Sequence, residues 1–235
     1  MICGELTGRL ASAAQLVRQG ASFADIGTDH AYLPIFLLKT GHICHAVCSD
    51  VNEGPLNSAR RNAVDSGVED RIDFILADGA AALAERGITD YAICGMGGEL
   101  IAGIIDRAPH LQDGSLSLVL QPMTRHAHLR RYLASRGFRI RLESYTREAG
   151  KLYVCMLVVY DGERREISDE EAELGEENCE IVNVGLQLEY FKDKIRALSN
   201  IVDGKIRGGD TSPSELLLLS AAVERVKRLE ALLLP

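Results

Sequence analysis

Three aspartates each close a short apolar segment in the first third of the chain. Asp25 lies at the end of the first segment, with Gly27 in the turn that follows; Asp50 closes the second segment and Asp78 the third. A glycine permits a tight turn and lets the backbone approach a ligand closely. A carboxylate at such a turn suits a ligand that carries an ammonium group and repels a pyrophosphate. Taken alone, the first loop is equally well explained as a structural turn.

The second and third aspartates suit a nucleoside. Asp50, followed by Val51 and Asn52, can accept hydrogen bonds from both hydroxyls of a ribose. Asp78, followed by Gly79, is placed to read an adenine amino group. Either carboxylate alone is better explained as a helix cap. Acids that close three successive segments indicate, together, a site for a nucleoside cofactor.

The fourth and fifth apolar segments end in small or polar residues. Gly95, Gly97 and Gly98 leave room without side chains beside the reactive end of such a cofactor, where a flat base can enter. A tight strand-to-helix turn needs the same glycines. Gln121, which closes the fifth segment, can hydrogen-bond a base edge or cap the turn.

These residues need a sheet whose strands end at one edge. Apolar segments alternate with amphipathic stretches through two-thirds of the chain, which indicates a parallel sheet covered by helices on both faces. The last two segments are joined by a short turn at 147–151, so they must pair as an antiparallel hairpin, and a basic helix at 125–136 precedes them. The predicted strands are residues 22–26, 43–50, 72–78, 91–95, 116–121, 138–145 and 152–160.

The last third of the chain changes period. Apolar residues from Ile181 to Val202 alternate spacings of three and four, the seam of a coiled coil, and those from Leu219 to Leu233 repeat the pattern. Gly204, Gly208 and Gly209 are predicted to break the helix between the two runs, and residues 212–215 supply a capping box for the second helix. The two helices are therefore expected to form an antiparallel pair, either simply packed or serving as a partner-binding arm.

Charged residues are distributed unevenly along the chain. The 235 residues, 46% of them hydrophobic, suffice for one large and one smaller domain, and the net charge is −8. Residues 115–151 nevertheless carry a surplus of six positive charges, whereas residues 161–180 carry a surplus of eight negative ones. The basic stretch suits RNA phosphates or an ordinary solvated face. The acidic stretch marks the expected boundary between a domain at 1–162 and one at 163–235.

Composition excludes several classes of protein. The six cysteines are scattered, with no CxxC pair and no local Cys/His cluster, so we expect no metal site and a reducing compartment. The apolar runs are shorter than the roughly 20 residues that span a bilayer. The start of the sequence has no export signal, and a cytoplasmic location is expected.

Five strings in the sequence resemble one enzyme family. DIGTDHAYLP, SDVNEGPL, ADGA, ICGMGG and LQPM, in this order and spacing, are similar to the bacterial tRNA (adenine-N1)-methyltransferases that modify adenine 22. The likeness covers about residues 5–160 in motif and the rest in architecture. It implies a Rossmann-like class I methyltransferase fold (α/β) with a C-terminal helical coiled-coil domain, S-adenosyl-L-methionine as donor and tRNA as acceptor. The chain has Ala80 where the family usually has leucine, a conservative departure.

The resemblance and the spacing together give a set of expected site residues. Residues expected to hold the cofactor are Asp25, Gly27, Thr28, Asp29, His30, Asp50, Val51, Asn52, Asp78, Gly79, Gly95, Met96 and Gly97. Residues expected to contact the RNA are Tyr32, Gly98, Gln121, Arg125, Arg130 and Arg131.

Asp29 is the expected catalytic residue. It and Ala31 replace glycines of the general methyltransferase loop. Adenine N1 has an in-plane lone pair, so its methylation needs no deprotonation and leaves a cationic ring. A nearby carboxylate then acts by electrostatic stabilisation and positioning. His30 and Tyr32 are its expected neighbours, although the histidine also suits a structural role and the tyrosine a place in the core.

Three alternatives stay open at the level of sequence. An enzyme of the same fold can act on another RNA or on a small molecule. A dinucleotide-dependent dehydrogenase also places an acid after its second strand, but the GxGxxG motif it needs is missing around Gly27. A non-catalytic binding or assembly module built on the coiled coil is the third. The chain is expected to be either a monomer or a dimer formed through the coiled coil.

Overall fold

A mixed β-sheet forms the centre of the protein in a computed structural model that describes residues 6, 8–176, 179–208 and 213–233. Within these residues the sheet has eight strands in the order β3-β2-β1-β4-β5-β7-β6-β8. The strands are β1 (Phe23–Ile26), β2 (Ala46–Asp50), β3 (Ile72–Leu76), β4 (Asp90–Gly97), β5 (Ser117–Thr124), β6 (Phe138–Glu148), β7 (Lys151–Tyr160) and β8 (Glu180–Val182).

The first five strands are parallel, the β6–β7 hairpin follows them, and β8 forms the edge beyond β6. β1 pairs in parallel with β2 on one side and with β4 on the other, so the strand order reverses between β1 and β4. β7 runs antiparallel to both β5 and β6, as the short connection requires. Ligands of such sheets bind at the carboxyl ends of the strands beside the reversal point. This is the Rossmann-like α/β arrangement that the sequence predicts.

Helices cover both faces of the sheet. One hydrophobic core joins residues of the first three helices to β1 and β2, and a second core lies under the remaining helices and extends to the C-terminal pair. The described helices are α1 (Gly8–Ala14), α2 (Tyr32–Lys39), α3 (Glu53–Ser66), α4 (Gly98–Asp106), α5 (His126–Ser135), α6 (Asp169–Leu174), α7 (Val184–Arg207) and α8 (Pro213–Leu233).

The seven strands predicted from sequence are present, with shifted ends. β2 begins at Ala46, three residues later than predicted, and β3 ends at Leu76, so Asp78 lies in the loop beyond it. The hairpin strands are longer than predicted and reach Glu148 and Lys151. The turn is short because Ala149 and Gly150 both adopt positive φ, which matches the twist of a two-residue hairpin loop.

The acidic stretch and the start of the last third differ from the prediction. The stretch contains α6, whose first turn is closed by a capping box between Ser168 and Glu171. Ile181, predicted to begin the helical seam, lies instead in β8, which pairs in parallel with β6. The three-and-four spacing extends through this strand by coincidence. The boundary after residue 162 stays a prediction, with β8 belonging to the same sheet as the strands before it.

The C-terminal helices pack on each other and on the sheet. Gly204 does not end α7, which continues to Arg207 and ends beside Gly208. A helix tolerates one interior glycine at a cost of about 1 kcal/mol. Phe191 of α7 is fully buried in the core, and Arg225 of α8 donates to the carbonyl of Gly175 at 2.6 Å. Gly209 and the predicted cap at Ser212 lie outside the described residues.

Within the part of the chain that the structure describes, no helix is both long and apolar enough to cross a membrane.

Candidate active site

A tight turn after β1 forms the floor of the candidate site. The backbone amides of Gly27 and Thr28 both donate to the carbonyl of Ser49 on β2, at 2.7 and 3.0 Å. Gly27 has a φ of +75°, and a Cβ added there would lie 1.9 Å from the Cε of Met96. The positive φ favours glycine at this position, whereas the Met96 side chain could move away from a Cβ, and the turn brings the ends of β1, β2 and β4 together.

Asp25 is the buried carboxylate of this site. Only 8% of the residue is exposed, and no arginine or lysine of the described chain forms an ion pair with it. Burial raises the pKa of Asp25 to about 6; the Thr28 hydroxyl lowers the pKa in part, and the negative charge of Asp50 raises it further. A buried carboxylate that lacks a cation gains stability when an ammonium group arrives.

Asp50 lies near Asp25 at the end of β2. One of its carboxylate oxygens, Oδ1, accepts from the backbone amide of Asn52 at 2.8 Å. Its backbone carbonyl accepts from the amide of Ala77 at 2.9 Å, which holds the end of β3 beside β2. Val51 is 56% exposed next to this carboxylate and presents an apolar surface. Asn52 is the N-cap residue of α3, but its side chain makes no capping hydrogen bond.

The third predicted carboxylate is placed differently. Asp78 is exposed and pairs with Arg107, with 3.3 Å between Nη2 and Oδ1. Gly79 next to it has a φ of +74°, and a Cβ added there would lie 3.3 Å from Cγ2 of Ile104 on α4. The structure thus brings Asp25 and Asp50 together, while Asp78 stands at the rim, where its reading of an adenine stays a prediction.

Three side chains of the loop after Gly27, those of Asp29, His30 and Tyr32, reach the surface. His30 and Tyr32 stack with their ring centroids 5.1 Å apart, and the imidazole Nε2 lies 3.3 Å from Oδ2 of Asp29. The Asp29 side chain is 73% exposed. The carbonyl of His30 accepts from Asn62 at 2.9 Å, which fixes the loop to α3. Tyr32 is 41% exposed and therefore is not a core residue.

Gln121 and Gly98 have structural roles that differ from those predicted. Gln121 is fully buried; its Oε1 accepts from the amide of Gly95 at 3.1 Å, and its Nε2 donates to the carbonyl of Pro122 at 3.1 Å. A Cβ on Gly98 would lie 2.5 Å from the carbonyl oxygen of Arg125. Contact with a base edge by Gln121, and an open space at Gly98, are therefore wrong: both residues pack β4 against β5 and its turn.

The other two glycines of this run remain at the surface of the site. Gly95 is exposed with a φ of +78°. Gly97 is half-buried at the start of α4, opposite Thr124 of β5.

The three predicted RNA-binding arginines divide by burial. Arg125 and Arg131 are exposed and form surface pairs with Glu99 at 3.5 Å and Asp169 at 2.6 Å. Arg130 is buried, and its Nη2 lies 2.7 Å from Oε1 of the equally buried Glu143. The prediction that Arg130 contacts RNA is wrong, because a guanidinium enclosed in this way cannot reach a phosphate.

Two further features of the site escape the sequence prediction. Arg9 of α1 places Nη1 3.5 Å from the position of a Cβ on Gly95, and it also pairs with Glu148. The contact is long-range, and no motif surrounds Arg9. Leu100 and Met123 are 52% and 40% exposed near the ends of β4 and β5. The sequence could have indicated these two residues, since a large apolar residue just after a strand at a ligand-binding edge is typical of a contact surface.

Comparison with known proteins gives consistent matches. A family model described as a methyltransferase domain matches residues 6–156. The tRNA (adenine(22)-N(1))-methyltransferase of Bacillus subtilis is 33% identical over 160 residues, which are 68% of this chain and 67% of that protein. A protein of the NADB-Rossmann superfamily from Streptococcus agalactiae is 30% identical, covers 96% of this chain and 97% of its own, and has a TM-score of 0.78. A putative tRNA (m1A22) methyltransferase of Streptococcus pneumoniae, solved with S-adenosyl-L-methionine, is 30% identical over 94% of this chain and 97% of its own, with a TM-score of 0.75.

Proposed function

The chain belongs to the methyltransferase-domain family and, within it, to the tRNA (adenine(22)-N(1))-methyltransferases, and on that basis we propose that it methylates N1 of adenine 22 in tRNA with S-adenosyl-L-methionine as donor. The structural observation that carries this function is the buried Asp25, without a protein cation in the described chain, beside the Gly27 turn at the carboxyl end of β1.

The residues at the sheet edge fit this cofactor. S-adenosyl-L-methionine supplies a methyl group on a positively charged sulfur, together with an ammonium, a carboxylate and a ribose. Asp25 suits the ammonium because burial has removed its water, and Asp50 has a carboxylate oxygen for the ribose hydroxyls. Arg9 is the cation nearest to Gly95 that suits the carboxylate. Thr28, Val51, Asn52, Asp78, Gly79, Met96 and Gly97 complete the proposed cofactor surface.

Methyl transfer itself needs little acid-base chemistry. The lone pair of adenine N1 forms the new bond to carbon while the electron pair of the broken bond stays on sulfur, and the ring becomes cationic. Asp29, held next to His30, supplies a negative charge that favours this change once the bound base excludes water. Asp29 is thus the proposed catalytic residue, acting by charge rather than by proton transfer.

The acceptor base must leave its helix. N1 lies on the Watson-Crick edge, so the adenine reacts only when it is unpaired and swung out. Tyr32, Leu100 and Met123 are exposed apolar side chains around the same edge and can hold a flat ring. Arg125 and Arg131 are exposed cations on the adjacent helix that can meet phosphates.

The helical region and the location complete the proposal. We propose that α7 and α8 pack as an antiparallel coiled coil, that the methyltransferase domain ends near residue 162, and that the enzyme works in the cytoplasm on tRNA. The heptad spacing and the contact between the two helices support the first of these.

The test is a methylation assay with defined transcripts. The purified chain is incubated with methyl-labelled S-adenosyl-L-methionine and a tRNA transcript, and the product is digested to nucleosides. We expect label in 1-methyladenosine, and none in a matched transcript with guanosine at position 22. Absence of label from the first transcript, or equal label in both, would refute the assignment.

A further inference from the structure

A cavity of about 700 Å³ lies beside α5, outside the set of residues assigned to the cofactor. α5 supplies most of its wall, including His126 and Tyr132, while Glu99 of α4, Glu173 of α6 and Lys194 of α7 close the other sides. The volume falls in the range of roughly 300–1,000 Å³ that is usual for pockets that bind small molecules. The cavity thus lies where the sheet and the C-terminal helices meet.

The inner wall of this cavity includes a neutral polar group, His126. His126 is only partly exposed and has its ring edge toward Tyr190, with centroids 6.4 Å apart. Burial, followed by the positive charges of Arg130 and Lys194, lowers the pKa of His126 to about 4. The imidazole is therefore neutral near pH 7 and offers one hydrogen-bond donor and one acceptor. Such a group matches the edge of a nucleobase better than it matches a phosphate.

The rim carries cations whose existing partners are easily exchanged. Arg125 and Arg131 line the cavity, and each is paired only through exposed contacts, with Glu99 and Asp169. Exposed pairs of this kind contribute at most about 1 kcal/mol. A phosphate can replace such a partner and gain a charge-assisted, bidentate contact with arginine. Lys194 is engaged by Glu173 at 2.7 Å, so the interior has no surplus of positive charge for a bare anion.

Arg125, at the rim of the cavity, adjoins the proposed substrate side of the active site. Arg125 directly follows Thr124, and Thr124 is the strand partner of Gly97. The backbone of Arg125 also packs against Gly98, which begins α4. The rim of this cavity therefore lies close to Gly97, where the target base is proposed to bind.

We propose that the cavity receives a second nucleotide of the RNA, next to the methylated adenine, with its base against His126 and Tyr132 and its phosphate at Arg125 and Arg131. The proposal rests on the proposed function, because an RNA substrate brings the strand to this edge. A pocket for a neighbouring nucleotide fixes the register of the strand and offsets part of the cost of unstacking the target base.

The first experiment fills the cavity. Ala127 is a half-exposed lining residue, and Ala127→Trp occupies the space without removing a polar group. We expect KM for tRNA to rise at least tenfold, while the affinity for S-adenosyl-L-methionine, measured by calorimetry, and the Tm stay within error of the parent protein. Val64→Trp, at an exposed position of α3 on the far side of the sheet, is the matched control and should leave all three unchanged.

A second variant guards against misfolding of the first. His128 lines the cavity and is exposed, so His128→Ala should not affect folding and should raise KM for tRNA about threefold. If the folded variants keep the KM of the parent protein, the inference is overturned.

A binding measurement separates this inference from the proposed function. A 5′-phosphorylated ApA dinucleotide is added to the cofactor-loaded protein, and its binding is followed through changes in the amide chemical shifts of the protein. We expect shifts along α5 in the parent protein and their loss in Ala127→Trp. If the parent transfers no methyl to tRNA but shows these shifts, the methylation assignment fails and the nucleotide pocket stands. Equal shifts in both proteins, or none in either, contradict the pocket.

Discussion

Two buried carboxylates in this protein have opposite surroundings. Glu143 on β6 is 0% exposed and receives two hydrogen bonds from Arg130, at 2.9 and 2.7 Å, and one from the Tyr145 hydroxyl at 2.6 Å. Asp25 on β1 is 8% exposed and has no such cation among the described residues. The contrast shows that burial alone does not identify a functional charge. The carboxylate with a cationic partner joins the sheet to α5, whereas the one without such a partner in the described chain is the one proposed to bind the ammonium group of the cofactor.

Removing the partner of Glu143 should have the largest effect. Arg130→Ala leaves a buried carboxylate without its counter-charge, and we expect the free energy of unfolding to fall by about 3–5 kcal/mol. Urea denaturation measures it. The neighbouring Arg131→Ala breaks only an exposed pair and should cost about 1 kcal/mol or less. Similar losses of unfolding free energy in the two variants would contradict the distinction between the buried Arg130–Glu143 pair and the exposed Arg131–Asp169 pair.

Replacing Asp25 should instead weaken cofactor binding and leave stability intact. Asp25→Asn should weaken S-adenosyl-L-methionine binding about 100-fold, since a charged hydrogen bond worth about 1.5–3 kcal/mol is lost. The same change should leave the free energy of unfolding at pH 7 unchanged or raise it by up to about 2 kcal/mol, because a charge that burial disfavours is removed. Calorimetry and urea denaturation check the two parts. A large loss of stability with intact binding would make Asp25 a structural residue like Glu143.

An exposed carboxylate at the same edge extends the comparison. Asp29→Ala removes a side chain that is 73% exposed, so the fold should be retained. We expect kcat for tRNA to fall about 30-fold, somewhat less than the loss for a buried electrostatic group at an active site. Single-turnover methyl transfer is the measurement. Full turnover by this variant would remove Asp29 from the mechanism.

The smallest expected effect is the pH dependence of cofactor binding, which also depends on Asp25 having no cationic partner within the described chain. The pKa of Asp25 is raised to about 6, so the folded protein holds this proton more tightly than the unfolded chain. Its contribution to stability is therefore complete below pH 4 and is lost as the pH rises through 6. Cofactor binding needs the ionised form, so affinity should fall about tenfold between pH 7 and pH 5. Calorimetry in Asp25→Asn should show a flat profile; an unchanged slope there would assign the titration to another group.

The sheet and part of the site were predictable because their signals are local. Apolar segments that end in Asp25 and Asp50 predicted both the strands and the meeting of the two carboxylates at one edge, since parallel strands end together. Gly27 was predictable for the same reason. The sequence predicted that Asp78 ends the third strand, but β3 stops at Leu76, two residues earlier. The end of a strand is set by hydrogen bonds that the sequence does not show.

The errors arose where a side chain's direction depends on distant residues. Arg130 lies in a basic run, and only its contact with Glu143, thirteen residues later, turns it inward. Gln121 was misjudged because its hydrogen bond to Gly95 crosses between strands. Arg9 reaches the site from before the first strand and carries no motif. Ile181 matched a helical period but pairs with Glu143 in the sheet.

β8 has a mechanical consequence. Because Ile181 and Val182 are hydrogen-bonded into the sheet one residue before α7 begins, the helical pair is attached without a swivelling linker. Farther from β8, Phe191 of α7 is buried in the core and Arg225 of α8 donates a hydrogen bond to the carbonyl of Gly175. The start of α7 is therefore tied directly to the edge of the sheet, so the helices are joined to the sheet through backbone hydrogen bonds as well as through side-chain packing.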